Sequence, residues 1–237
     1  MPGILYIVAT PIGNLEDITL RAIRILKEVD LIACEDTRHT SRLLQHYEIK
    51  TSTTSYFEHN KDQKGEYLIS LLRDGKNIAL VSDAGTPGIS DPGFNLVRDA
   101  VAQGIRVIPL PGPSAAMSAL CSSGLPTDRF LFIGFLPQKE GKKRKLLESL
   151  KSEEGTLIFY ESPFRIRKTV GLMAEVFGDR PAVLVHELTK IYESFLRGSL
   201  PELSKNEKGI IEKGEWVILI GKTLSSSSPS HKDDDYP

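Results

Sequence analysis

Short, almost wholly apolar runs alternate with segments of helical periodicity through the first half of the chain. Ile4–Thr10, Leu31–Cys34, Ile78–Ser82 and Val107–Leu110 read as strands buried on both faces. Leu20–Lys27, Tyr67–Arg73 and Phe94–Gln103 repeat apolar residues at helical spacing. The last two stop at Gly75 and Gly104, residues free to take the left-handed conformation that closes many helices. Strand–helix–strand alternation of this kind predicts a parallel sheet. Beyond Gly112 the rhythm changes. Ser114–Ser122, Lys142–Leu150 and Phe164–Phe177 read as helices, and Phe130–Phe135, Thr156–Glu161, Ala182–Glu187, Ser194–Arg197 and Trp216–Ile220 as strands, which predicts a mixed α/β unit.

Pro109, Pro111 and Pro113 interrupt both strand and helix, so the boundary is expected near Pro111–Gly112. The domains expected are 1–111, an N-terminal parallel-sheet domain, and 112–222, a mixed-sheet domain. The Ser-rich and acidic residues 223–237 have nothing to bury and are expected to be a disordered tail.

Composition narrows the function only by exclusion. The chain has 237 residues, 40% hydrophobic and 26% charged, which suits a globular protein with a real core. No apolar stretch approaches the roughly 20 residues a membrane span needs, and no basic segment precedes an apolar run at the start. A cytoplasmic protein with no membrane segment is expected. Cys34 and Cys121 form no disulfide framework, and both read as buried thiols. The formal charge is -1, of which Lys232 with Asp233, Asp234 and Asp235 contributes -2, leaving +1 elsewhere. Any nucleic-acid contact must therefore come from local clusters of Lys and Arg.

In an open parallel sheet, ligands bind beyond the carboxyl ends of the strands, so the loops after the first four strands are where chemistry is expected. The loop Thr10–Asn14 has one glycine where a dinucleotide fold shows GxGxxG. Gly221-Lys222-Thr223 superficially resembles the end of a phosphate loop, but Gly214 lies too far back and no helix follows. His186-Glu187 is not the start of a zinc motif, because Lys190 stands where HExxH has its second histidine. No metal site is expected. The segment Ser82–Gly93 carries three glycines, two prolines and two aspartates directly after a buried strand. Such a loop is either a long connection or a rigid ligand cradle, and its length favours the cradle. Pro111–Ala116 opens a helix, whose first N–H groups can hold a carboxylate, or Ser114 simply caps it.

The runs Ile7–Leu15, Ala33–Thr40, Val81–Gly93 and Pro109–Ser114 resemble the ribosomal RNA small-subunit methyltransferase I family of the tetrapyrrole methylase superfamily. The resemblance continues through Gly124–Pro126, Gly134–Pro137, Phe159–Ser162, Glu187–Lys190 and Gly214-Glu215. It implies a two-domain tetrapyrrole-methylase-like α/β fold, a homodimer, and S-adenosylmethionine in the cleft between domains. The implied reaction is methylation of a cytidine 2'-hydroxyl in the decoding region of small-subunit (16S) ribosomal RNA. The positions it implies for the cofactor are Ile12, Ser82, Asp83, Thr86, Ser114 and Ala115, then Tyr160, Glu161, Glu187 and Trp216. Core packing is an equal reading of Tyr160 and Trp216. Members of that family carry a further small helical segment at the C-terminus, where this sequence has its Ser-rich stretch.

Methyl transfer is an in-line displacement that demands positioning, and a ribose hydroxyl needs a base or a stabiliser for the developing alkoxide. Glu35 or Asp36 is the expected base or orienter, and Arg38 the expected phosphate contact. The alternative is a Glu35–Arg38 pair at the start of the next helix. Glu58-His59-Asn60 and Lys190 are reserve candidates. RNA docking is expected on Lys139, Lys142, Lys143, Arg144 and Lys145, helped by Arg165, Arg167 and Lys168. The rival functions are a small-molecule, tetrapyrrole-type methylase or a protein-modifying relative, and a ribosome-binding relative without turnover. A plain dinucleotide-binding domain is disfavoured by the missing glycines.

Overall fold

The structure, a computed structural model, describes residues 1–91, 93–206 and 208–222; the tail expected at 223–237 lies outside the described residues. The chain divides into two compact units, Met1–Ser118 and Ala119–Pro237.

The first unit holds β1 (Ile4–Val8), α1 (Leu20–Glu28), β2 (Leu31–Cys34), α2 (Thr37–His46), β3 (Thr53–Ser55), α3 (Lys61–Arg73), β4 (Ile78–Leu80), α4 (Gly93–Ala102) and β5 (Arg106–Leu110). The strands form one sheet in the order β3-β2-β4-β1-β5, and every pairing is parallel. Alternation along β1 explains the layering. Leu5 and Ile7 join a core with Leu68, Leu72 and Leu96 of α3 and α4, while Val8 joins one with Ile25, Leu26 and Leu43 of α1 and α2. Helices thus cover both faces, the arrangement all-parallel sheets require. Local chemistry sets the ends of the helices. The Thr19 side chain accepts from the Ala22 N–H to start α1, and Gly75 and Gly104, past α3 and α4, take φ values of +85° and +67°.

Two elements of this unit differ from expectation. α2 has buried Thr40, Leu43 and Leu44 on one face, but its sequence, rich in Thr, Arg and His, carried a weak helical signal. β3 is a three-residue edge strand of Thr and Ser, too polar and short to show in a hydrophobic pattern.

The second unit contains β6 (Phe130–Phe135), α6 (Glu140–Ser149), β7 (Thr156–Glu161), α7 (Ile166–Phe177), β8 (Pro181–His186), β9 (Ser194–Ser199), α8 (Leu200–Ser204) and β10 (Trp216–Ile220). Its sheet runs β6-β7-β10-β8-β9, parallel between β6 and β7 and antiparallel elsewhere. Leu157 and Phe159 of β7, Leu184 of β8 and Ile218 of β10 meet Val170 and Met173 of α7 in its core. The short α8 went unseen in the hydrophobic pattern. It starts where the Ser199 N–H donates to the Glu202 carboxylate at 2.9 Å.

α5 (Ala115–Ser123) carries the division between the units. Its buried residues Ala116, Ala119, Leu120 and Ser123 recur at helical spacing, which leaves Cys121 off the stripe. Cys34 is buried as expected, whereas Cys121 is exposed, a correction to its reading as a buried thiol. No helix among the described residues is long and apolar enough to cross a membrane.

Candidate functional site

Strands β2, β4, β1 and β5 lie side by side, so the loops that leave their carboxyl ends are neighbours. Thr10, just beyond β1, forms an isolated antiparallel bridge with Gly85, their N–H groups and carbonyls pairing at 2.9 and 3.0 Å. The Thr10 hydroxyl donates to the Ser82 carbonyl at 3.0 Å, and Thr86 Oγ1 donates to the Pro113 carbonyl at 3.2 Å. Three loops are thereby tied together through Thr10 and Pro113, whose bonds across the loops the sequence pattern does not show. Two glycines permit the approach. Gly85 sits at φ +83°, and a Cβ on Gly112 would stand 2.8 Å from the Ala9 Cβ.

The far end of the loop after β4 is held by Asp91, whose Oδ1 accepts from the Gly88 and Gly93 N–H groups, both at 2.8 Å. The expected cradle is therefore a braced structure and not a slack connection.

The loop after β2 joins the same assembly reciprocally. The Asp83 carboxylate accepts from the Asp36 N–H at 3.2 Å, while the Asp83 N–H donates to Glu35 Oε2 at 3.3 Å. Glu35 is half-buried, and that burial pushes its carboxyl above the usual carboxylate range. The Asp83 N–H opposes the shift, and the charges of Asp91 and Asp83 add to it. Its neighbour differs sharply. Asp36 caps α2 by accepting from the Arg38 N–H at 2.8 Å and pairs with the Arg38 guanidinium at 2.9 Å. These bonds hold the Asp36 carboxyl down at about 2. The Arg38 pair is thus with Asp36 and not with Glu35. The Arg38 side chain is otherwise 90% exposed and faces solvent.

The loops after β1, β4 and β5 contain no Lys or Arg between Ala9 and Asn14, Ser82 and Asp91, or Pro111 and Ala116. What they offer is two half-buried carboxylates, Asp83 and the Asp91 that braces its own loop, the hydroxyls of Thr86 and Ser114, the apolar Ile12, and the first N–H groups of α5. A polyphosphate would find no counter-charge there, whereas a cationic ligand with hydroxyl, amino and carboxylate groups matches the donor set.

In the second unit, register brings several expected positions together. Trp216 pairs with Glu161 across β7 and with His186 across β8, and Val217 pairs with Tyr160. Side-chain orientation then separates them. Glu161 has no exposed side-chain surface, and its two oxygens are taken by Lys143 at 3.2 Å, Thr169 at 2.7 Å, Arg165 at 2.7 Å and the Ser162 N–H at 2.8 Å. Trp216 is buried, stacks on His186 at 4.4 Å and donates its indole N–H to the Ile211 carbonyl. The side chains of Glu161 and Trp216 are thus internal structure. Tyr160 is half-buried, with its ring edge-on to Phe132 and Phe135. Glu187, at φ +50°, accepts from Lys190 at 2.9 Å and from the Glu215 N–H at 2.9 Å.

Two further expectations are corrected. Lys143 is buried against Glu161 and cannot join a docking surface, and Arg144 and Arg165 are paired with Glu175 and Glu161. Lys139, Lys142, Lys145 and Lys168 are the exposed cations of that group. Burial pulls Lys190 down, but the Glu187 and Glu215 carboxylates outweigh it and hold the ammonium above its usual range. Lys190 is therefore an ion-pair hub and a poor base.

Residues 4–204 match the family model described as Tetrapyrrole (Corrin/Porphyrin) Methylases. The sequence is similar to Ribosomal RNA small subunit methyltransferase I of Halalkalibacterium halodurans, 54% identical over 218 residues, 92% of this chain and 75% of that relative. The Bacillus subtilis protein of the same name is 51% identical over 220 residues, again 92% and 75% of the two chains. Among solved structures, a diphthine synthase superposes with a TM-score of 0.72 at 15% identity, covering 94% of this chain and 92% of the other. A uroporphyrin-III-C-methyltransferase from Thermus thermophilus gives 0.65 at 20%, covering 93% and 94%.

Proposed function

The chain belongs to the tetrapyrrole methylases and, within them, to the ribosomal RNA small subunit methyltransferase I family, and on that premise we propose that it methylates a cytidine 2'-hydroxyl of small-subunit ribosomal RNA in the decoding region. The methyl donor in this reading is S-adenosylmethionine, which when bound supplies an electrophilic methyl group on a sulfonium. The donor set of the first unit suits it: Asp83 for positive charge, Thr86 and Ser114 for polar edges, Ile12 for an apolar face and the start of α5 for a carboxylate. Tyr160, Glu161, Glu187 and Trp216 contribute from the second unit, through backbone where their side chains are internal. We place the enzyme in the cytoplasm as a homodimer.

The observation that carries the reading is the placement of Glu35, half-buried directly after β2 among the sheet-end loops with the Asp83 N–H on its Oε2 at 3.3 Å. A ribose hydroxyl becomes a useful nucleophile only as its proton leaves, and a carboxylate whose proton affinity is raised by burial is better matched to that task than an ordinary one. Asp36 is unsuited to it, because its bonds to Arg38 hold its proton affinity down; it caps α2. Arg38, exposed at the same place, is set to meet a phosphate.

The test is transfer of tritium from methyl-labelled S-adenosylmethionine to small ribosomal subunits that lack the modification, followed by digestion and identification of the labelled nucleoside. Label in 2'-O-methylcytidine is the result expected. Label on a tetrapyrrole and none on RNA would replace this reading with the small-molecule one.

A further inference from the structure

Glu161 is internal, yet what it holds faces outward. The chain after it makes a tight turn in which the Arg165 N–H donates to the Ser162 carbonyl at 3.0 Å, with Pro163 and Phe164 at the two central positions. Both ends of that turn rest on one carboxylate oxygen. Glu161 Oε1 accepts from the Ser162 N–H at 2.8 Å and from the Arg165 guanidinium at 2.7 Å. The other oxygen takes the Lys143 ammonium of α6 and the Thr169 hydroxyl of α7, and Lys143 and Thr169 also bond each other at 2.6 Å. Proline restricts the turn's backbone and a buried ionic hub fixes its base.

At the tip of this fixed turn, Phe164 is 81% exposed, more than any other aromatic side chain among the described residues. Exposing a phenyl ring on a rigid support forgoes the free energy of burying it, which a partner that covers the ring recovers. The surroundings name the chemistry of that cover. Lys168 is exposed one helical turn further on, and Lys142 is exposed beside the buried Lys143, while Glu140 is the one carboxylate in the first turn of α6. Lys142 and Lys168 are the sequence neighbours of Lys143 and Thr169, which hold the hub beneath the turn, and exposed cations on the same support as an exposed aromatic complement a phosphate backbone with a base to stack.

We propose that Phe164 is a stacking platform for an unpaired base of the RNA substrate, with Lys142 and Lys168 meeting the flanking phosphates. This rests on the ribosomal RNA reading above and adds a substrate-positioning residue to it. Phe164 is outside the core cluster of the second unit and the hub's bonds come from its neighbours, so Phe164→Ala is expected to leave the fold and the cofactor affinity as they are. One base–aromatic stack predicts RNA affinity about 5- to 150-fold weaker in Phe164→Ala.

The experiment measures binding and methylation of small-subunit RNA by the full chain and by Phe164→Ala, Phe164→Leu, Phe164→Tyr and Phe164→Trp. Size-exclusion mass and titration with S-adenosylmethionine run alongside. Tyr and Trp are expected to restore the RNA affinity and Leu is not. Because Trp216, the chain's single tryptophan, is buried, the new indole of Phe164→Trp reports separately, and RNA is expected to quench it. Unchanged RNA affinity in Phe164→Ala overturns the proposal, as does full rescue by Leu or a change of oligomeric mass, which would mark a contact between copies. A wild-type chain that methylates RNA beside an unaffected Phe164→Ala removes this inference alone. A wild-type chain that binds no RNA removes it together with the reading it rests on.

Discussion

Two glutamates stand at the carboxyl ends of strands, one in each unit, and the chain uses them in opposite ways. Glu35, directly after β2, is half-buried and receives one long hydrogen bond from the Asp83 N–H at 3.3 Å. Glu161, the last residue of β7, is sealed and receives four donors on its two oxygens. A carboxylate with every lone pair engaged inside a low-dielectric interior is part of the scaffold. One that burial has lifted without giving it a full set of partners is available for proton transfer. The sequence neighbourhood does not distinguish the two; the count of donors around each does.

The contrast can be broken most forcefully at Glu161. Its replacement by Ala strands the buried Lys143 ammonium, and removing one partner of such a pair costs about 3–5 kcal/mol. Urea unfolding is expected to show that loss, and a variant as stable as the parent would make the hub dispensable. Glu35→Gln is expected to do the reverse. A carboxyl raised in the folded chain binds its proton more tightly than in the unfolded one, so its contribution to stability falls as pH rises through the window between the two values. At neutral pH the uncharged Gln removes that penalty, and thermal melting is expected at or above the parent's temperature. A clear drop would reassign Glu35 to the scaffold.

The smallest effect is expected at Asp36. Its carboxyl is depressed to about 2, so what it adds to stability is present above the ordinary aspartate value and is lost as pH falls toward about 2. Asp36→Ala is expected to melt slightly lower than the parent at neutral pH, with the gap closing across that acid window. A gap that persists at lower pH would mean that the Arg38 pair and the α2 cap are not its source.

How much of this was legible in the sequence follows from the same physics. Strands such as Leu31–Cys34 and Thr156–Glu161 are visible to the residue because they are apolar on both faces. α2 and β3 are hidden because a polar helix and a polar edge strand have no pattern to show. The loop Ser82–Gly93 announces itself by its glycines and prolines, but the bracket made by Asp91 and the bridge between Thr10 and Gly85 depend on long-range geometry. Lys143 reads as one cation in a basic run, and only its helical phase, one residue from exposed Lys142, turns it inward to Glu161. Glu161 and Trp216 pair across β7 and β10, and neither that register nor the burial of their side chains can be read from a motif.

The most direct test of the division between the two glutamates is the pH dependence of kcat/KM for methyl transfer to small-subunit RNA, in the parent and in Glu35→Gln. A base must be deprotonated, so the parent's rate is predicted to rise with pH along a limb above the ordinary glutamate value of about 4.3. In Glu35→Gln that limb is predicted to vanish and the rate to fall about 10²- to 10⁴-fold. A variant that keeps both the limb and the rate would contradict the account and place the proton's acceptor elsewhere.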